Sequence, residues 1–423
     1  MRRGALLWLV LLVAYTTTLG LDATPQARYS DREAHRLLTA KSLAEDRSLE
    51  LSDEYATRDW ADFADRPLTP TVPPREGRLV EPQGIGFALL TAPAYALGGP
   101  RGVELLCAAL LALAFALSAA LARRLVPDPW ATRAALVAGL SPPALAGATT
   151  ISPASAAAAL LTGAALLALR VRDDPRLGAA ARAAGLIALL PWLGVRFLAP
   201  GVVVLLALAQ WLRRRQRGVT GLVAVEVLLS SAVVLISVNE RLFGGLVPSA
   251  AEPGTPAGGA AGVEDAGELL GRIPALLGAL IDRDAGLLRW APALALAGLS
   301  LWLLARSRRD HVARALPERI GVEVATALYA ATVAAGLAAA ALAAQSIHGP
   351  WLVPNDVLAV LPVAGALAAW GLRHAPRTGG ALAALTLAGS AWLVLSARLG
   401  DAGVAPPSGP LPWGGLEALL PLL

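Results

Sequence analysis

Apolar residues run along this chain in blocks of about 18 to 22, separated by short polar stretches. Each block is long enough to cross a hydrocarbon layer roughly 30 Å thick at 1.5 Å rise per residue. The pattern predicts helical spans at about 4–20, 103–121, 131–148, 154–169, 183–195, 198–212, 218–238, 285–304, 321–344, 357–371 and 380–396. The expected fold class is therefore all-α, a polytopic transmembrane protein of about eleven spans. A membrane barrel would show alternating segments of about ten residues instead.

Two polar stretches interrupt this pattern. The first, 22–102, follows the first span and contains a short apolar segment at 84–99. The second is 239–284. Arginines settle whether 84–99 crosses. If it does not, Arg123, Arg124 and Arg133, then Arg170, Arg172, Arg176 and Arg182, then Arg213, Arg214, Arg215 and Arg217, and the later clusters all fall on one side. If it did, every later cluster would face the wrong way. The segment 84–99 is thus read as a re-entrant or surface helix, with the N-terminus inside and both polar loops outside. The first apolar run is read as an uncleaved anchor, and 1–423 as a single membrane domain without internal repeats. A further surface helix is expected over 264–281.

Composition sharpens this picture. The chain is 56% hydrophobic with a mean hydropathy of +0.58. Its net charge of +5 comes almost wholly from arginine, because Lys41 is the only lysine. Those arginines lie in short connectors, where they orient helices, so nucleic acid is not an expected partner. The lone Cys107 excludes an internal disulfide and a cysteine metal site.

Acidic residues are unevenly placed: 13 of the 31 lie between Asp22 and Gln83. That loop opens on Ser30, a good N-cap, followed by Asp31 and by Glu33 at the position of a capping box. Ala34, Leu37, Leu38 and Lys41 share one face, which is only partly apolar and predicts a helix lying along the membrane surface. Tyr55, Trp60 and Phe63 interleave an acidic run, and Pro67, Pro70, Pro73 and Pro74 then enforce extended chain. Glu226 falls inside an apolar block, where a polar packing contact, a lipid-facing misassignment of the span and, as a minor option, a proton relay are the readings open.

The order of several motifs resembles one group of enzymes. Glu33-x-His35-x-Leu37-Leu38-Thr39-Ala40-Lys41-Ser42-Leu43 after one span is similar to the first external loop of GT-C superfamily glycosyltransferases, which include protein O-mannosyltransferases and aminoarabinose transferases. Glu81-Pro82-Gln83-Gly84 before an apolar segment ending in Gly98-Gly99 resembles the end of that loop. Leu190-Pro191-Trp192-Leu193-Gly194-Val195-Arg196-Phe197 resembles a recurring external turn, and Arg241-Leu242-Phe243-Gly244-Gly245 also fits.

The resemblance implies transfer of a sugar from a polyprenyl-phosphate carrier to an extracytoplasmic glycan, lipid or protein acceptor, at the cytoplasmic membrane. Inverting transfer needs a carboxylate to deprotonate the acceptor and cations to stabilise the leaving phosphate. Asp31 and Glu33 are the candidate catalytic bases; His35, Lys41 and Arg196 are candidate substrate-binding residues. The family shows adjacent Asp-Glu where this chain has Arg32-Glu33, with Asp31 displaced by one. A divalent metal beside His35 is a further option that the residues leave open. Two family features are absent: an acid after the proline in Ser152-Pro153-Ala154-Ser155, and an Arg-Tyr pair at Pro354-Asn355-Asp356-Val357. The alternatives are a non-catalytic relative serving envelope assembly and a lipid or polysaccharide transporter.

Overall fold

The computed structural model describes residues 2–23, 27–214, 218–251, 273–283, 286–307, 317–343 and 357–400. The described chain is almost entirely helical, with one isolated β-bridge between Arg75 and Arg78. The helices are α1 (Arg2–Thr16), α2 (Asp31–Glu45), α3 (Ser52–Thr57), α4 (Ile85–Ala122), α5 (Trp130–Gly139), α6 (Pro142–Thr149), α7 (Pro153–Asp173) and α8 (Leu177–Leu193). They continue as α9 (Leu198–Arg214), α10 (Gly218–Phe243), α11 (Ile273–Ile281), α12 (Leu287–Trp290), α13 (Ala295–Ser307), α14 (Pro317–Ala343), α15 (Leu361–His374) and α16 (Pro376–Leu399).

Among the described residues, six helices are long and apolar enough to cross a membrane: Ile85–Ala122, Pro153–Asp173, Val195–Arg214, Gly218–Ala251, Ile320–Leu342 and Pro376–Leu399. Arg3–Thr16, Leu177–Leu193 and Pro292–Arg306 are shorter apolar helices. The protein is an integral membrane protein. Of the surface helix expected over 264–281, only Ile273–Ile281 is described, and 354–356 lie outside the described residues.

Two expected spans are broken rather than continuous. The block 131–148 divides into α5 and α6, because Ser141 is extended (φ −65°, ψ 151°) and Pro142 and Pro143 follow it. A residue before proline is driven out of the helical region, and proline is well suited to start the next helix. The block 285–304 likewise divides at Pro292, where the short 3₁₀ turn Pro292–Leu294 separates α12 from α13. The break expected after 99 is present inside α4. Gly98 and Gly99 leave the helical region there, and Gly99 adopts φ 58°, ψ −148°, a conformation open to glycine alone.

Ion pairs collect several connectors at one end of the bundle. Arg3 and Arg123 both meet Asp128, at 3.5 and 2.8 Å, and Arg124 pairs with Asp173. This joins the start of α1, the α4–α5 connector and the end of α7. The first polar loop gathers at the opposite end. There Arg36 of α2 donates to Ile151 O in the α6–α7 connector at 2.7 Å, and Arg398 at the end of α16 donates to Thr17 O at 2.8 Å.

The loop closes onto the last turn of α8 through glycine. A Cβ at Gly84 would meet Trp192 O at 2.7 Å, and one at Gly86 would meet Trp192 Cβ at 2.7 Å. No side chain fits between these backbones. Gly84→Val and Gly86→Val are each expected to cost about 1–3 kcal/mol by overpacking. This would be seen as a lowered unfolding midpoint of the detergent-solubilised protein. Gly185→Ala, with open space at its Cβ, should cost nothing in the same measurement.

Candidate active site

Helix α2 begins where the sequence places it. Ser30 is extended at the N-cap, and Glu33 turns back to accept from Ser30 N–H at 2.9 Å and from Ser30 Oγ at 2.7 Å. The helix does not lie free on a surface, as its mixed face suggested. Glu33, Ala34, His35, Leu37, Leu38, Thr39, Ala40, Lys41 and Ser42 are all buried, and the helix packs across α4. The polar members of that face are tolerated because each finds a partner.

Glu33 is 3% exposed. Its second oxygen accepts from Ile151 N–H at 2.9 Å, while Arg36, one turn on, holds the carbonyl of the same residue. The pair Glu33 and Arg36 therefore grips the backbone of Ile151 from both sides. Burial pushes the Glu33 carboxyl above its ordinary range; the bonds from Ser30 and Ile151 and the charge of Arg36 oppose that shift.

Asp31 stands differently. It occupies the first turn of α2, is exposed, and its carboxylate makes no hydrogen bond or salt bridge among the described residues. The helix N-terminus favours a negative charge at this position.

His35 is buried in a polar relay. Its Nδ1 lies 2.8 Å from Tyr55 Oη, and Tyr55 donates to Glu81 Oε1 at 2.5 Å. With the single phenolic proton committed to Glu81, Tyr55 Oη accepts from His35, which places the imidazole proton on Nδ1. Thr71 completes the group, its hydroxyl donating to Glu81 Oε2 and its N–H to Oε1 at 3.3 Å. Burial lowers the His35 pKa; Glu81 and Asp31 oppose this and Arg36 adds to it. Burial and the neighbouring Glu81 carboxylate both raise the Tyr55 phenol.

Lys41 is also buried, and its ammonium is engaged by Asp62 at 2.6 Å and Asp59 at 3.5 Å. Burial alone would lower its pKa, but the two aspartates more than offset that. Arg196 lies in the 3₁₀ turn Val195–Phe197 of the α8–α9 connector, its guanidinium 5.2 Å from the centre of the Phe197 ring. That connector follows the last turn of α8, on which Gly84 and Gly86 close.

The structure thus gathers Asp31, Glu33 and His35 on the first turns of α2. Lys41 sits two turns further along, and Arg196 is on a separate connector. A second buried charge cluster was not anticipated. Tyr29 donates to Glu104 Oε1 at 2.5 Å and Arg28 approaches the same oxygen at 3.3 Å, while Glu104 Oε2 is buried without a protein partner. A lone acid inside an apolar block was the signal available for Glu104. Glu81 stands in the Glu81-Pro82-Gln83-Gly84 motif and Tyr55 in the acidic run with Trp60 and Phe63, but nothing in their spacing pairs them with His35. Among the described residues, no group of three or more His, Cys, Asp or Glu side chains is disposed to hold a metal ion.

No family model and no curated protein matches the chain. Solved structures do. The crystal structure of ArnT from Cupriavidus metallidurans in the apo state superposes with a TM-score of 0.53 at 16% identity, covering 95% of this chain and 73% of that one. The structure of the same protein bound to undecaprenyl phosphate superposes with a TM-score of 0.55 at 14% identity and the same coverage. ArnT is an aminoarabinose transferase of the GT-C superfamily, and the likeness establishes a GT-C-like fold for this chain.

Two measurements test the roles of the buried groups. Glu33→Gln removes an acceptor facing three donors and should lower stability by about 1–3 kcal/mol in a chemical or thermal melt. His35 has a folded pKa below its ordinary 6.5, so its contribution to stability is whole above that value. It is lost as pH falls through the folded pKa. The unfolding midpoint of the wild-type protein should therefore drop as pH falls below about 6.5, and His35→Gln should flatten that part of the profile.

Proposed function

We propose that this protein is a membrane glycosyltransferase that moves a sugar from a polyprenyl-phosphate carrier to an acceptor on the outer side of the cytoplasmic membrane, with inversion. The observation that carries the reading is the division of labour within one helical turn. Glu33 is consumed by Ser30 and Ile151, whereas Asp31, two residues earlier, is exposed and uncommitted. The GT-C-like fold and the relative's undecaprenyl phosphate support the choice of donor.

Asp31 is the general base. Its carboxylate takes the proton of the acceptor hydroxyl as that oxygen bonds to the anomeric carbon, and the polyprenyl phosphate departs with the electrons of the broken C–O bond. Arg196 is the cation for the leaving phosphate, suited to it by its planar, permanently charged fork. His35 keeps Tyr55 and Glu81 in place and, its pKa lowered by burial, stays neutral near pH 7. Lys41, held by Asp62 and Asp59, fixes the turn beside α2 and reaches substrate only through that geometry. The orientation follows from charge. The basic connectors that meet Asp128 and Asp173 face the cytoplasm, and the loop bearing α2 faces outward.

Transfer by the purified full-length protein from a panel of polyprenyl-phosphate sugars tests the assignment. Asp31→Asn should reduce kcat by about 10²–10⁴-fold with the unfolding midpoint unchanged. Full activity in Asp31→Asn, with loss in a folded Glu33→Gln, would move the base to Glu33. Undiminished transfer in both would remove the base from α2 altogether. Orientation is tested separately, by labelling Arg58→Cys in a Cys107→Ala background: an impermeant thiol reagent should reach it only from outside the cell.

A further inference from the structure

One buried acid has no part in the proposed reaction and gains the fold little. Glu104 lies on α4, just past the break at Gly98 and Gly99, and is 3% exposed. Tyr29 Oη donates to its Oε1 at 2.5 Å, and Arg28 approaches the same oxygen at 3.3 Å. Its Oε2 is buried with no protein partner, and so is Arg28 Nε. A carboxyl group in that state costs free energy, because one oxygen has lost water and gained no donor. A leucine would fill the same apolar block without that cost. An ionisable group kept there against the penalty points to a use.

Its partners show what that use is. Arg28 and Tyr29 immediately precede Ser30, the N-cap of α2, and Asp31 follows directly. On the far side of Asp31, Glu33 is bonded to Ser30 N–H and to Ile151 N–H. Asp31 therefore stands between two buried, bonded neighbours, Tyr29 and Glu33, while its own carboxylate makes no bond among the described residues. A side chain with no bond of its own is aimed by the backbone that carries it. Glu33 secures that backbone to the α6–α7 connector, and Glu104 secures it to α4. We infer that Glu104 is a positioning residue. Through Tyr29 and Arg28 it holds the entry to α2 against α4, and so fixes where the Asp31 carboxylate meets the acceptor hydroxyl.

This role rests on the proposed function, in which Asp31 is the base. A base must come within hydrogen-bond reach of the proton it takes, and a displacement of about 1 Å costs roughly 10²-fold in rate. Scaffold and positioning roles predict opposite things of stability. Removing a scaffold contact lowers the unfolding midpoint. Exchanging both members of a strained buried pair for apolar groups of similar shape leaves the midpoint unchanged or raises it. Arg28 does not prevent that outcome, because its side chain is 32% exposed and can turn to water.

The purified full-length protein, assayed with the panel of polyprenyl-phosphate sugars, tests it. In the double variant Tyr29→Phe with Glu104→Leu, kcat should fall by about 10- to 100-fold, with KM for the sugar donor unchanged and the unfolding midpoint not lowered. Glu104→Gln, which keeps an oxygen for Tyr29 and Arg28, should retain most of the wild-type turnover. A nitroxide on Asp31→Cys in a Cys107→Ala background reads the geometry without substrate: its motion should be restricted in the otherwise wild-type chain and freer with the double substitution. Unchanged nitroxide motion, a lowered midpoint or failure to fold in the double variant, or loss of turnover in Glu104→Gln would each overturn the positioning role. Loss of activity in Asp31→Asn beside wild-type kcat in the double variant would overturn this role alone. Full activity in Asp31→Asn would remove the base itself, and the role with it.

Discussion

One buried contact governs the polar end of this molecule: the grip of Glu33 and Arg36 on the peptide backbone at Ile151. Taking a carboxylate out of water costs several kcal/mol unless its oxygens are bonded, and here three donors converge on Glu33. The contact is long-range in sequence and specific in geometry. It seats α2 on the α6–α7 connector, lets the helix lie across α4, and sets the rotation that turns Glu33 inward and Asp31 outward. An α2 rotated by two residues would put Asp31 where Glu33 sits and take Glu33 away from its donors.

Several acids of the first loop serve the same end. Glu81 anchors Tyr55, Thr71 and, through Tyr55, His35; Asp59 and Asp62 hold the only lysine; Glu50 accepts from Ser52 N–H and Leu79 N–H. A long loop at a membrane face has no large apolar core of its own to bury, so specific polar bonds tie its segments together. Part of the concentration of charge in this loop is thus structural. Under the proposed function, chemistry is left to groups not spent on the scaffold.

The helical architecture and the GT-C-like fold were legible in the sequence because hydrophobic length and the order of loop motifs are local properties. The start of α2 was legible for the same reason, through Ser30 and Glu33. The breaks at Ser141-Pro142 and Pro292 were also written in the chain, but hydropathy averaged over a block conceals a proline that divides it. The partners of the site residues were not legible. Ile151 meets Glu33 through its backbone, which carries no side-chain signature, and is 118 residues away. Tyr55, Glu81 and Thr71 meet His35 only once the extended, proline-rich chain has folded back. Lys41 was a candidate substrate-binding residue, and its partners Asp59 and Asp62 were hidden because they are distant in sequence and adjacent in space.

The carboxylates of this protein differ in what satisfies them. Glu33 and Glu81 are buried with their oxygens bonded, Asp62 is spent on Lys41, and Asp128 and Asp173 are spent on arginines of the connectors. Glu104 is half satisfied, one oxygen bonded and the other orphaned in the interior. Asp31 and Glu226 are exposed to different surroundings, one on a polar loop and one along an apolar helix. A membrane protein satisfies charge internally wherever water is excluded. Under the proposed function, Asp31, exposed at the first turn of α2 and outside these bonded sets, is the acid that meets an incoming hydroxyl.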